Sequence, residues 1–249
     1  MKKWIFLAAL CLNALPRVTH AQQAFKFGPR VGGNASIVDY TKGLYNDEPS
    51  MRAGLELGLM ASRGIGNGHV SLQGSFVYDR KPFLLTTQYY SPGYSFIGKQ
   101  ELRLDYISLP LNVAYAQHVN GQGVQVFAGG YVATLLGGRV HNKGVTTDAG
   151  VATTIELDSP VRPGRKPQPG TAYFFKPFDV GVQAGLGYQY RTVLVQASYS
   201  LGLIDIGVPY IAPITSAAPR YYTRALRFAL TYFLRSAPTR ISPGVRSAS

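Results

Sequence analysis

A single cysteine, Cys11, occurs in 249 residues, and it falls inside an N-terminal segment that reads as an export address. Lys2 and Lys3 make a positive start, Trp4 to Leu12 an apolar core, and Thr19-His20-Ala21 supplies small residues where cleavage is expected. Residues 1–21 are therefore read as a signal peptide, with Gln22 as the mature N-terminus. The apolar core is shorter than the roughly 20 residues a spanning helix requires. Leu10 fills the place where a lipoprotein signal needs a small residue, and Cys11 comes too early, so lipidation is not expected. A mature chain without cysteine excludes disulfides and thiol chemistry.

Histidine is almost as scarce. Beyond the leader only His69, His118 and His141 remain. None has a serine and a carboxylate at a suggestive spacing, as a lipid-A hydrolase or acyltransferase would need. With no cluster of His or Cys, neither a metal centre nor a cofactor is expected. Acidic residues are also few. Without Lys2, Lys3 and Arg17 the 25 basic residues become 22 against 12 acidic ones, a formal charge of +10. In a cytosolic protein that would point to nucleic acid; export removes that reading. The partners left for such a surface are anionic lipid headgroups, lipopolysaccharide phosphates or acidic polymers. A generally basic surface explains the charge equally well.

Long hydrophobic runs are missing too. No stretch of 18 apolar residues follows the leader, so no transmembrane helix is expected. What recurs instead is alternation with period two. Phe25, Phe27, Val31, Ala35 and Ile37 alternate with Lys26, Gly28, Arg30, Gly32, Asn34 and Ser36. A second strand, near 52–62, sets Ala53, Leu55, Leu57, Leu59 and Ala61 against Arg52, Glu56 and Ser62. A third, up to about Asp79, sets Val70, Leu72, Phe76 and Tyr78 against His69, Ser71, Gln73, Ser75 and Asp79. The fourth, about 101–117, changes phase: Leu102 and Leu104 give way to Ile107, Leu109, Leu111, Val113 and Tyr115. A β-bulge near Tyr106 is expected to absorb the slip, with Pro110 facing the polar side. A fifth strand spans about 123–136, its alternation blurring towards the end. The sixth sets Phe178, Val180, Val182, Ala184, Leu186 and Tyr188 against Asp179, Gly181, Gln183, Gly185 and Gln189. Two more cover about 192–204 and 222–234, the last opposing Leu226, Phe228, Leu230 and Tyr232 to Arg227, Ala229 and Thr231.

Eight strands result, most about as long as a tilted strand crossing a bilayer. Connections after the second, fourth and sixth are tight; those after the first, third, fifth and seventh are long. Short turns on one rim and long loops on the other suit a barrel between a narrow periplasm and the exterior. The polar face is mostly Gly, Ser, Asn and Gln, too poor in Lys and Glu for the outside of a soluble barrel. The expected fold is all-β: a closed antiparallel up-and-down transmembrane β-barrel over residues 22–235, with four long extracellular loops. Residues 236–249 read as a flexible basic tail.

The stretches Phe25-Lys26-Phe27-Gly28-Pro29-Arg30-Val31-Gly32-Gly33-Asn34 and Leu104-Asp105-Tyr106-Ile107-Ser108-Leu109-Pro110-Leu111 resemble the opening and mid-chain strands of the PorT-type outer-membrane β-barrel family of Bacteroidetes. Residues 182–188 and 228–234 are similar to its later strands. The resemblance implies a single barrel in the outer membrane of a Gram-negative cell and brings no catalytic residue. The tail beyond Arg235 departs from the usual aromatic terminus.

On this reading Arg30, Arg52, Glu56, Gln73, Arg103, Asp105, Gln183 and Arg227 line the lumen as a polar network. Tyr78, Tyr106, Tyr115, Tyr188, Tyr190, Tyr222 and Tyr232 form aromatic girdles at the strand ends. Arg162, Arg165 and Lys166, in the longest loop beside a hairpin expected over 151–156, suit lipopolysaccharide phosphates; a solvated loop tip accounts for them equally well. The expected function is non-enzymatic: a structural, binding or secretion-associated role through the extracellular loops. A narrow pore for small solutes is the alternative, and a lipid-A-modifying enzyme a more distant one. The expected partners of this monomer are outer-membrane lipid and lipopolysaccharide, with other envelope or secretion proteins as further candidates and no nucleic acid.

Overall fold

Period-two alternation becomes strand throughout the computed structural model, which describes residues 25–40, 46–66, 68–148, 150–165, 172–208 and 220–234. The leader, Lys166 and the tail beyond Leu234 lie outside the described residues. The elements are β1 (Phe25–Tyr40), β2 (Asn46–Ile65), β3 (Val70–Ser91), β4 (Tyr94–Ala116), β5 (Gly123–Asp148), β6 (Val151–Pro163), β7 (Tyr173–Phe175), β8 (Phe178–Tyr190), β9 (Val193–Gly202) and β10 (Tyr221–Tyr232). Neighbours run β4-β3-β2-β1-β10-β9-β8-β5, and a further β4–β5 pairing closes those eight strands into a ring. β1 seals against β10 from Arg30↔Thr231 to Tyr40↔Tyr221. β6 and β7 stand outside the ring, extending the sheet from the upper half of β5.

The wall is inside-out. Leu111, Leu186 and Phe228 are each more than half exposed, whereas Glu56, Gln125 and Asp179 are fully buried. An apolar belt around a closed ring is stable only where the surroundings are themselves apolar, and closure leaves no strand edge unpaired there.

Two expectations need correction. The phase change on β4 is not a bulge in β4, whose even-numbered residues are all buried from Leu102 to Ala116. Instead the polarity of the two faces inverts at Tyr106. Below it the outward side chains are apolar and the inward ones mixed; above it Glu101 and Arg103 face out while Leu102 and Leu104 face in. The wall has risen out of the apolar belt, so its outside now meets water and its inside packs as an ordinary core. A bulge does occur at this level, on the partner strand: Asp105 pairs with Gly137 and Tyr106 with Leu135, leaving Leu136 over. The third and fifth strands, moreover, do not end near Tyr78 and Leu136. Both continue upward, and β3 turns into β4 at Pro92-Gly93, with Gly93 at φ +77°. Pro110 is buried on the inner face, and the β3–β4 ladder lapses beside it, between Gly74↔Leu111 and Val77↔Ser108, because proline has no N–H to donate.

Candidate functional site

The lumen is occupied from one end to the other. At the short-turn rim Met60, Leu194 and Phe233 form a small apolar cluster, with the Lys26 ammonium 5.7 Å from the Phe233 ring centroid. Above it, Gln125 accepts from Gln73 at 2.7 Å, Gln73 accepts from Gln196 at 3.0 Å, and Gln196 accepts from Arg30 at 2.5 Å. Arg30 pairs with Glu56 at 2.8 Å, and Glu56 with Arg227 at 3.4 Å. Arg227 also pairs with Asp79, which lies 3.9 Å from Lys81; Lys81 in turn pairs with Asp179 at 2.7 Å. Thr223 donates to Asp179 at 2.9 Å, and Asn34 to Asp79 at 2.9 Å. Lys81 also sits 4.8 Å and 5.0 Å from the ring centroids of Tyr131 and Tyr106.

Arg30, Lys81 and Arg227 balance Glu56, Asp79 and Asp179, and none of these six side chains is more than 9% exposed. Charges withdrawn from water this far persist only when each has an opposite partner and further hydrogen bonds. β4 joins through Asn112, which accepts from Gln183 at 2.8 Å. Tight curvature adds to the crowding. A Cβ on Gly181 would meet Tyr131 Cε1 at 2.5 Å, so the inward tyrosine lies over a position only glycine can hold. At the long-loop rim the column is capped by an apolar cluster that includes Phe83, Leu102, Leu104, Tyr106, Val140, Phe175 and Ile206.

Of the expected lumen residues, Arg30, Glu56, Gln73, Gln183 and Arg227 lie inside. Arg52, Arg103 and Asp105 do not. Arg52 is exposed on β2, in the segment where the β2–β3 register shifts between Met51 and Glu56. Arg103 pairs with Glu101 at 2.9 Å, and Asp105 with Arg80 at 2.8 Å, all on the outer face above the belt. Tyr106 likewise leaves the expected girdle: it is fully buried within the upper apolar cluster. Tyr115, Tyr188, Tyr190 and Tyr232 are exposed at the short-turn end of the belt. Tyr78 donates to Asp105 at 2.7 Å at its upper edge, and Tyr222 is half-buried opposite Asp39. Lys81, Tyr131 and Thr223 escaped the sequence reading. For Lys81 the signal was available, since inward alternation continues through Asp79, Lys81, Phe83 and Leu85.

A second feature stands clear of the belt. The upper parts of β3, β4 and β5 run on into β6 as a continuous sheet, a blade beyond the ring. Lys143 pairs with Glu156 and, at 3.0 Å, His141 with Asp158, both across β5–β6. The Lys143 hydrogen bond holds the Glu156 carboxyl below the ordinary glutamate range. On the inner face of the blade a recess is walled by Phe96, Ile155, Leu157 and Tyr173 over Gly98 and Gly144. Gln100 bridges Asn142 at 2.8 Å and the Tyr173 hydroxyl at 3.2 Å. Arg162 and Arg165 are exposed near the base of β6. His69 hydrogen-bonds the Ala116 carbonyl through Nδ1, and His118 is exposed at a short turn. Among the described residues no group of three His, Cys, Asp or Glu side chains could hold a metal ion.

A family model described as outer membrane protein beta-barrel domain matches residues 20–207. No curated protein matches. Solved structures with a similar fold include the attachment invasion locus protein Ail of Yersinia pestis, in complex with the heparin analogue sucrose octasulfate, at 13% identity and a TM-score of 0.38, covering 84% of this chain and 99% of Ail. Neisserial surface protein A is similar at 14% identity and a TM-score of 0.35, over 84% of this chain and 99% of that one. The N-terminal β-barrel domain of Pseudomonas aeruginosa OprF follows at 11% identity and 0.25, over 82% and 97%.

Proposed function

Since the chain belongs to the outer membrane protein beta-barrel domain family, we propose that it is a sealed, non-enzymatic barrel of the outer membrane that acts by binding, through the blade it raises on the extracellular side. One observation carries this reading: an electrically balanced column of side chains fills the lumen between two apolar clusters. An ion crossing that column would have to separate buried pairs, each of which costs several kcal/mol to break. That weighs against the narrow-pore alternative. The scattered positions of His69, His118 and His141 weigh against lipid-A chemistry, which needs a nucleophile and a base side by side. Long loops on a rigid scaffold are where binding residues concentrate.

Export through cleavage after Ala21 belongs to the same proposal, as does the finer PorT-type assignment, which rests on residues 25–34 and 104–111. Arg162 and Arg165, at the foot of the blade, remain candidates for lipopolysaccharide phosphate, as does Lys166, which lies outside the described residues. The test is planar-bilayer recording of the purified protein. Silence at steady voltage is expected; large, stable openings would mean that the lumen is a passage.

A further inference from the structure

On the outer wall, arginines gather directly above the apolar belt. Ile107 and Leu136 mark the top of the belt on β4 and β5. Next above them Asp105 pairs with Arg80 at 2.8 Å and accepts from Tyr78 at 2.7 Å. Arg103 then stands directly opposite Arg139 on the β4–β5 ladder, both of them exposed. Arg162 follows Val161, the partner of Gly138, so it shares this face two positions nearer the belt than Arg139. The β-bulge aims Arg139 outward. Below it the odd-numbered residues Tyr131, Ala133 and Leu135 are buried in the lumen; the extra residue, Leu136, reverses that phase, so Val140 is buried and Arg139 faces out. It also makes Gly137 the outward residue opposite Asp105, which leaves a notch in the wall beneath Arg139. Each acid on the outward faces of β4, β5 and β6 has its own partner: Asp105 has Arg80, Glu101 has Arg103, Glu156 has Lys143 and Asp158 has His141. Arg139 and Arg162 have no carboxylate partner among the described residues. Like charges directly opposite on a ladder repel, and Arg103 and Arg139 share the one carboxylate of Glu101 between them. An anion seated at both guanidinium groups would relieve that repulsion.

We propose that this notch holds the phosphorylated headgroup of an outer-leaflet glycolipid. Its phosphate oxygens accept from Arg103, Arg139 and Arg162, and its acyl chains lie against Ile107, Leu109 and Leu136. The proposal deepens, and rests on, the reading of the foot of the blade as a lipopolysaccharide contact. The belt identifies the source of the anion, because a wall that faces hydrocarbon below meets lipid headgroups directly above. Guanidinium forks hold phosphate through paired, charge-assisted N–H···O bonds, which a lysine in the same place would not form. Arginines at two heights on three strands suit a headgroup with more than one acidic group better than a phospholipid with a single phosphate.

The experiment titrates the full-length protein in detergent micelles with diphosphoryl lipid A and reads retained lipid by native mass spectrometry. Dephosphorylated lipid A, phosphatidylglycerol and inorganic phosphate are the parallel probes. Saturable retention of diphosphoryl lipid A is expected. R139Q should weaken it several-fold and R139Q/R162Q about tenfold or more. R224Q should leave it unchanged, because that arginine is already paired with Asp39. The substituted side chains are exposed, and gel migration before and after heating confirms that each variant still folds. Retention indifferent to R139Q/R162Q, or equal for the dephosphorylated lipid, overturns the proposal. So does equally tight phosphatidylglycerol, which would assign a general contact with acidic phospholipid, and so does displacement of lipid A by inorganic phosphate, which would assign a site for the free anion. No retention of lipid A by the unaltered protein defeats the lipopolysaccharide reading as a whole. Retention lost in R165Q but not in R139Q defeats the wall site alone.

Discussion

Arg227 shows what the inner face demands of one side chain. It lies between Glu56 and Asp79 with 4% of its side chain exposed, and removing it leaves Glu56, Asp79 and Asp179 facing only Arg30 and Lys81, an uncompensated negative charge in a place water does not reach. Replacing Arg227 by Met should therefore cost about 3–5 kcal/mol of stability. Arg103, by contrast, pairs with Glu101 at 55% exposure, so Arg103→Ala should cost under about 1 kcal/mol. Urea titrations followed by gel migration compare the two, and equal losses would contradict the separation of inside from outside. Alternation alone gave Arg227 and Glu56 the right face. It misled for Arg103 and Asp105, because polarity marks the lumen only where the other side of the wall is lipid.

Asp205 makes the corresponding point outside the membrane. It accepts from the Tyr221 and Gly207 amides at 2.8 Å and 3.0 Å and pairs with Lys176 at 2.8 Å, tying the exit of β7 to the entry of β10. Partial burial raises its pKa, but these hydrogen bonds outweigh that effect and hold it below the ordinary aspartate value of 3.8. Its contribution to stability is then fully present above 3.8 and lost as pH falls through the lower folded-state value. Amide shifts of Gly207 and Tyr221 should titrate with a midpoint under 3.8 and should lose that transition in Asp205→Asn. A midpoint at or above the ordinary value would remove the assigned role.

At the scale of the element, β4 explains why part of the chain was legible and part was not. Ile107, Leu109, Leu111, Val113 and Tyr115 announce a membrane face, and the matching outward rows of β8 and β10 do so as clearly. Above Tyr106 the same strand keeps its geometry while its two environments exchange, which in the sequence looks like a slipped register. β5 blurs for a related reason: Tyr131, Ala133 and Leu135 are apolar yet point inward, into the upper cluster. The hairpin expected around 151–156 is found as β6 paired with residues 138–148, which belong to the same expected loop but form the upward continuation of β5. The upper apolar cluster ties the base of the blade, through Val140, Val161 and Phe175, to the ring, but no residue of that cluster lies in 144–155, so the tip of the blade should be dispensable for folding. Replacing residues 144–155 by Asn-Gly, which rejoins Lys143 to Glu156 across a two-residue turn, should leave the heat-dependent gel shift and urea midpoint of the barrel unchanged. A collapsed midpoint would show that the blade stabilises the ring.

For the whole molecule the decisive features are visible in the sequence: alternation, a single cysteine confined to the first 21 residues, and short and long connections in turn. Closure through β1 and β10 follows from them, since an open edge cannot survive in hydrocarbon. The composition of the column was less accessible, because partners such as Lys81 and Asp179 lie 98 residues apart and only closure of the ring brings them together.

The absence of other cysteines makes a single-cysteine scan along β4, from position 101 to 115, the most direct measurement of this architecture. Positions 101 and 103 should react with a water-soluble maleimide, and 107, 109, 111 and 113 only with a bilayer-soluble one. Positions 108, 110 and 112 should react with neither. Rapid labelling of 108, 110 and 112 by the water-soluble reagent would mean a wet, open lumen and would contradict the account.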